Sequence, residues 1–223
     1  MNAPAKQLLL HGDPAPHRPR SSVGWRSYAS VAKRVIDLIV STCALLLLLP
    51  LFLTVALMVK IDTPGPVFFW QTRRGLHGKP FRIIKFRTMS VLEDGDVVQQ
   101  ATRGDSRVTR TGRWLRSSSI DELPQLVNVL RGEMSLVGPR PHALAHDNYY
   151  SQLIGDYTAR QLVKPGITGW AQVNGARGET PELGQMKRRV ELDLWYVKHW
   201  TVMLDLKIIV MTAIQILRRH EAF

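Results

Sequence analysis

Two adjacent carboxylates, Asp121 and Glu122, stand in the segment LRSSSIDELPQLVNVLRGEMSLVGPRP, just ahead of Pro124. An ionised carboxylate can attack as a nucleophile or hold a hard cation such as Mg²⁺. Either role toward a phosphate needs positive charge nearby, and Arg110, Arg113, Arg116, Arg131 and Arg140 supply it along the same stretch. Proline is comfortable only in the first turn of a helix, so Pro124 predicts a helix from about Glu122 to Arg131 that begins near Asp121. At such a helix start the carboxylates complement the macrodipole, and free N–H groups attract phosphate. A purely structural reading stands beside this one. Ser119 and Glu122 have the spacing of a capping box, which needs no catalysis to explain it.

The elements that must position this pair begin with an apolar run. Val35 to Val59 reads VIDLIVSTCALLLLLPLFLTVALMV, 25 residues whose only charge is Asp37. That is long enough to meet a bilayer, too long for a signal-peptide core, and not followed by a cleavage site, so it reads as a retained anchor. Basic residues flank both sides, which conflicts with a simple crossing because positive flanks favour the cytoplasm. Pro50 lacks an N–H and clashes with the carbonyl of Leu46, which predicts a bend or break there and a re-entrant helix that enters and leaves on one face. A kinked helix that crosses remains the alternative. The single cysteine, Cys43, excludes an internal disulfide and a thiolate zinc cluster, and its apolar setting suggests a packing residue.

Residues 1–29 are rich in Pro, His, Arg and Ser and read as a flexible basic tail, residues 30–60 as the membrane-inserted helix, and residues 61–223 as a cytoplasmic catalytic domain. Within the last, Val67 to Gln71 and Phe81 to Phe86 are aromatic and β-branched runs around Gly75 and Gly78, which predicts a hairpin. A polar helix is expected over Ala143 to Leu162. The C-terminal stretch combines helical apolar spacing with Trp195, Tyr196, Trp200 and terminal arginines, which suits an amphipathic helix in a membrane interface or one packed on the core. The fold class is α+β and mainly helical: a monotopic membrane protein with a small hairpin and interfacial helices. The net charge of +12 by itself fits nucleic acid, an acidic membrane or a phosphorylated substrate. A basic membrane-associated scaffold would leave the anchor and the acidic pair unexplained, and nucleic acid is not expected as a partner.

Several segments in order carry a resemblance: TPGPVFFWQTRRGLHGKPFRIIKFRTM, DSRVTRTGRWLR, SIDELPQLVNVLRGEMSLVGPRP, VKPGITGWAQVNG, LDLWYV and LDLKIIVMT. From Lys33 to Leu217 the chain resembles the bacterial sugar transferase family, the monotopic polyprenyl-phosphate phosphoglycosyl transferases. The stretch from HALAHDNYY to GARGET is similar to the branch that moves glucose-1-phosphate onto undecaprenyl phosphate in exopolysaccharide synthesis. The resemblance implies Asp121 as the nucleophile that forms a sugar-phosphoryl-aspartate and expels UMP from a UDP-sugar. It further implies Glu122 as a Mg²⁺ ligand, and Lys85, Arg87, Arg116 and Arg140 as groups that neutralise phosphate. It places the protein at the cytoplasmic face of the bacterial inner membrane and leaves open a homodimer and the sugar, with galactose or an N-acetylated sugar as alternatives to glucose. Many members of the branch carry a multi-span domain before the anchor, for which 223 residues leave no room. Leu49 stands where members often have serine before the proline of the kink, which puts the bend in question.

Overall fold

The computed structural model describes residues 31–90, 104–178, 180 and 182–220; the basic tail lies outside them. Helices α1 (Val31–Leu47) and α2 (Leu49–Asp62) form a pair bent by 61°. Among the described residues no single helix is long and apolar enough to cross a membrane. The break falls at Leu48, with φ −88° and ψ 2°, and Pro50 sits inside the first turn of α2. The expected bend at the proline is thus moved to the residues before it. A proline in a first turn gives up only an N–H that had no helical partner there, so the chain resolves the clash by starting a new helix.

Helix α1 is polar where it meets protein and apolar where it does not. Lys33, Asp37 and Ser41, spaced four apart, are its buried residues, while Val35, Ile39, Val40, Leu46 and Leu47 are exposed. Lys33 Nζ donates to Val137 O at 3.0 Å and pairs with Asp205 at 2.5 Å. Asp37 Oδ1 accepts from Ser135 Oγ and from the N–H of Leu136. Arg34 donates to Val129 O and Leu130 O. Cys43, expected to pack, is exposed on this helix.

The hairpin pairs β1 (Phe68–Arg74) with β2 (Pro80–Phe86), antiparallel, with Phe69 opposite Lys85. Helix α3 (Arg110–Ser118) and a 3₁₀ turn at Ile120–Glu122 lead into α4 (Gln125–Arg131). A short parallel pair, β3 (Ser135–Val137) with β4 (Gly166–Thr168), follows from no alternation visible in the sequence. Between them the expected helix from Ala143 to Leu162 is divided into α5 (Leu144–Leu153) and a 3₁₀ segment, Tyr157–Leu162, by a left-handed Asp156 at φ 58°. After α6 (Trp170–Val173), the C-terminal stretch forms α7 (Leu183–His199) and α8 (Val202–His220).

Apolar clusters lock these parts together. Phe81 and Ile83 of β2 pack on Val129 of α4 and on Met134. Val55 and Val59 of α2 meet Phe86 and Leu115, which ties the bent pair to the hairpin and α3. Val137 and Val163 meet Tyr196 and Ile208 of α7 and α8. Each fully buried side chain of this size stabilises by about 1.5–3 kcal/mol relative to exposure.

Candidate active site

Alternation along β2 puts Phe81, Ile83 and Lys85 on one face, the face packed on α4. The distance between that strand and α4 is set by Asn128, fully buried in the middle of the helix. Its Oδ1 accepts from Ile84 N at 3.0 Å and its Nδ2 donates to Arg82 O at 2.8 Å, so the side chain bonds β2 as a further strand would. Lys85 is thereby delivered to Glu122, with Nζ at 2.9 Å from Oε1.

Asp121 and Glu122 lie in the 3₁₀ turn rather than in a helix cap. Ser119 adopts the left-handed region, φ 62° and ψ 15°, and turns the chain sharply out of α3. Its side chain caps nothing; its Oγ accepts from Arg177 Nη2 at 2.6 Å. The capping box expected from Ser119 and Glu122 is therefore not formed, because a left-handed residue cannot direct its side chain over the following turn. The predicted helix start moves from Asp121 to Gln125.

Arg140 is the second cation on Glu122. Its Nη1 donates to Glu122 Oε2 at 2.8 Å and its Nη2 to Oε1. The backbone that presents it is pinned on both flanks: Gly138 N–H donates to Thr168 O, Gly166 N–H to Pro139 O, and Arg160 Nη2 to Arg140 O at 2.6 Å. A side chain at Gly138 would lie 2.4 Å from Lys164 O, so only glycine permits this approach. Arg160 is itself fixed by a buried pair with Asp193 at 2.8 Å.

The two acids shift in opposite directions. Burial first, and the neighbouring Glu122 charge second, push the Asp121 carboxyl up to about 6, against Lys85, Arg140 and Arg116. Burial would also raise Glu122, but the Arg140 and Lys85 charges outweigh it and hold the group well below the usual carboxylate range. Lys85 is lowered by burial, whereas the Glu122 charge raises Arg140. Both Glu122 oxygens are engaged, while Asp121 accepts no hydrogen bond from any described residue. Two adjacent acids driven apart in this way are suited to different roles. Glu122 organises the cations, and Asp121 is left more basic, with no hydrogen-bond donor among the described residues.

The bacterial sugar transferase family model matches residues 28–219. The chain belongs to that family. It is 54% identical over 198 residues to the UDP-glucose:undecaprenyl-phosphate glucose-1-phosphate transferase of Xanthomonas campestris pv. campestris, covering 88% of this chain and 41% of that one. Proteins of the same name from Escherichia coli K12 and Caulobacter vibrioides are 55% identical over 180 residues and 50% identical over 220 residues. These matches cover 81% of this chain and 39% of the Escherichia coli protein, and 99% and 80% for the Caulobacter protein. The chain thus spans about two fifths of the first two relatives' length.

Of the family residues expected from sequence, Lys85, Glu122 and Arg140 meet directly, with Asp121 beside them. Arg116 is exposed in the last turn of α3, close enough for its charge to act on Asp121. Arg87 departs from the expectation that it faces phosphate. It is buried, and its guanidinium binds Pro64 O and Thr63 O at 2.6 Å and Val59 O at 3.3 Å. It closes the end of α2, joining the Thr63 N–H on Val59 O and supplying donors to the Thr63 and Pro64 carbonyls just beyond the helix. Pro50 lies in the bent pair, away from this cluster.

Asn128, Arg160 and Arg177 were missed as site residues. Asn128 carried a usable signal, a polar residue amid the apolar LVNVL. Arg160 and Arg177 are basic residues in irregular segments with nothing in their spacing to mark them.

The Mg²⁺ expected at Glu122 fits under one condition. Glu122 Oε1 accepts from both Lys85 and Arg140, whereas Oε2 accepts only from Arg140, which leaves one lone pair. Among the described residues no three His, Cys, Asp or Glu gather as a metal cage. Mg²⁺ commonly uses one or two carboxylates and completes its shell with substrate phosphates and water. The donor set suits that mode.

Proposed function

We propose that the protein transfers hexose-1-phosphate, with glucose as the hexose, from a UDP-sugar to undecaprenyl phosphate, in two displacements through Asp121. The observation that carries this reading is the division of the acidic pair, one carboxylate gripped by Lys85 and Arg140 and its neighbour more basic, with no hydrogen bond from any described residue. The substrates are those in the relatives' names.

In the first displacement an Asp121 oxygen attacks the sugar-bearing phosphorus of the UDP-sugar. The new O–P bond forms as the bridging P–O bond breaks, and that electron pair leaves on UMP. In the second, a phosphate oxygen of the lipid attacks the same phosphorus, the aspartyl O–P bond breaks, and the Asp121 carboxylate returns. Splitting one displacement in two is the use of a protein nucleophile. Lys85, Arg140 and Arg116 lower the repulsion between carboxylate and diphosphate. A Mg²⁺ held at Glu122 would add charge neutralisation on the bridging phosphates when bound.

The inside-out character of α1 supports a membrane site for this chemistry: charges turned toward protein and apolar residues exposed are the arrangement of a lipid-facing helix. On this reading the bent pair enters and leaves from the cytoplasmic side of the inner membrane, and the reaction is a first membrane step of exopolysaccharide assembly. With Cys43→Ser as background, cysteines placed at Ser21 and Ser106 should both be shielded from an impermeant thiol reagent in intact cells and both react once the cells are permeabilised. Opposite accessibility would remove the re-entrant topology.

The reaction is tested by giving detergent-solubilised protein Mg²⁺, undecaprenyl phosphate and a panel of UDP-sugars while measuring nucleotide products. UMP from UDP-glucose is expected; release of UDP would indicate a direct glycosyl transfer without an aspartyl intermediate and overturn the proposal.

A further inference from the structure

Arg140 sits between Pro139 and Pro141, which have no N–H to donate, so donors from other elements must fix the backbone here through its carbonyls. Three do so. Gly166 N–H donates to Pro139 O at 3.0 Å, Arg73 Nη1 to Pro141 O at 3.3 Å, and Arg160 Nη2 to Arg140 O at 2.6 Å. The last of these bonds falls on the residue whose own guanidinium grips Glu122. Arg160 is buried and committed on every side. Its Nε donates to Asp193 Oδ2 at 2.8 Å, its Nη1 meets His142 Nδ1 at 3.0 Å, and its plane lies 5.2 Å from the Tyr157 ring centre. A guanidinium only donates, so His142 Nδ1 is the acceptor. A rigid fork fixed in this way carries the position of Asp193 through to Arg140.

Asp193 lies in α7 one helical turn after Arg189, so the two share a face, and both are buried. Arg189 serves the other half of the reaction centre. Its Nε donates to Ala176 O at 2.9 Å and its Nη2 to Gly178 O at 2.5 Å, the carbonyls on either side of Arg177. Arg177 in turn donates to Ser119 Oγ, and Ser119 is the left-handed residue that opens the turn bearing Asp121 and Glu122. One face of α7 thus reaches the acidic turn by one route and its cation by another. Buried charges are a poor source of stability, since apolar residues of similar volume often serve as well. What this pair supplies is fixed geometry.

We propose that Arg189 and Asp193 of α7 are positioning residues for the transfer reaction proposed above, on which this assignment rests. Asp193 acts through Arg160 on Arg140, and Arg189 acts through the Arg177 loop on the turn that carries Asp121. The two routes have different signatures. Asp121 titrates under the charges of Glu122, Lys85 of β2, Arg140 and Arg116 of α3. Loosening Arg140 withdraws a cation from that set, whereas loosening the loop shifts the turn and leaves the set intact.

Arg160→Lys keeps the charge beside Asp193 but lacks the fork that also reaches Arg140 O. Arg160→Met combined with Asp193→Leu removes both charges at once, a replacement that commonly leaves a fold as stable. Asp121 is followed by carboxyl ¹³C NMR in detergent, its signal identified by its loss in Asp121→Asn. Its titration should rise from about 6 by about half to one pH unit in both variants. The UMP burst from UDP-glucose without acceptor should slow about tenfold at pH 7.5. Arg189→Lys, whose single nitrogen cannot hold both carbonyls, should slow the burst about tenfold with the Asp121 titration unmoved. Arg188→Lys, at an exposed neighbour on α7, should change neither. If Arg160→Lys unfolds, the Met and Leu pair carries the comparison. An Asp121 titration that stays at the wild-type pH in the folded Arg160 variants, or an Arg189→Lys burst as fast as wild type, would overturn the assignment. A wild-type chain with no burst would instead contradict the parent reaction, and the NMR titrations would still decide whether Asp193 and Arg160 hold Arg140.

Discussion

At the scale of single residues, Asp121 carries opposite demands of folding and reactivity. Its carboxyl is pushed up to about 6, so the folded state holds its proton more tightly than the unfolded chain does. The native state then binds more protons between the ordinary aspartate pKa and about 6, and stability falls as pH rises through that window. Asp121→Asn should accordingly stabilise the protein at pH 7.5 by about 1–3 kcal/mol, seen as a higher unfolding temperature, with the gain vanishing near pH 4. On the proposed mechanism Asp121 must be ionised to attack, so the first half-reaction should be lost as pH falls through about 6 rather than through the usual carboxylate range. Glu122→Gln makes a different prediction. It strips the counter-charge from buried Lys85 and Arg140 and should destabilise by about 3–5 kcal/mol in thermal unfolding. Any remaining UMP burst should titrate at lower pH than wild type, because one of the influences that raises Asp121 is gone.

At the scale of elements, the active site depends on the spacing between β2 and α4, and Asn128 holds it. Asn128→Ala loses the bonds to Ile84 N and Arg82 O and should destabilise by about 2–4 kcal/mol, with a fall in kcat from the displaced Lys85. Asn128→Asp, which keeps the acceptor toward Ile84 but sets a buried carboxylate against Arg82 O and Glu133 Oε2, should destabilise at least as much. The hairpin was legible in the sequence because period-two aromatic and β-branched runs around Gly75 and Gly78 have few other solutions. The 3₁₀ turn was not. Ser119, Glu122 and Pro124 satisfy the local rules of a helix start, and only the contact with Arg177, 58 residues further on, occupies the side chain that would have made the cap. Arg87 was misjudged for a similar reason. A basic residue at the end of a strand looks available, and the carbonyls it closes belong to a helix that ended more than 20 residues earlier.

At the scale of the whole molecule, the bent pair α1–α2 and the elements that carry the acidic pair are one packed unit. The charged side chains of α1 hold α4, β3 and α8, and the last turns of α2 enter the cluster around Phe86 and Leu115. The apolar run of the sequence and Pro50 made a bent helical pair legible, but Lys33 and Asp37 looked like a flank and a stray charge until their partners in β3 and α8 were placed. Membrane attachment by this unit should resist ionic strength, since burial of apolar area does not screen. Fractionated membranes should retain the protein through 1 M salt, the order at which surface charge pairs are screened out, and release it only with detergent. The central claim concerns one bond, between Asp121 and the sugar phosphate. Intact-protein mass spectrometry after mixing with UDP-glucose and Mg²⁺, without lipid acceptor, should show a species heavier by one hexose phosphate, absent in Asp121→Asn and discharged by undecaprenyl phosphate. An adduct that persists in Asp121→Asn, or lipid-linked product formed by that variant at the wild-type rate, would contradict it.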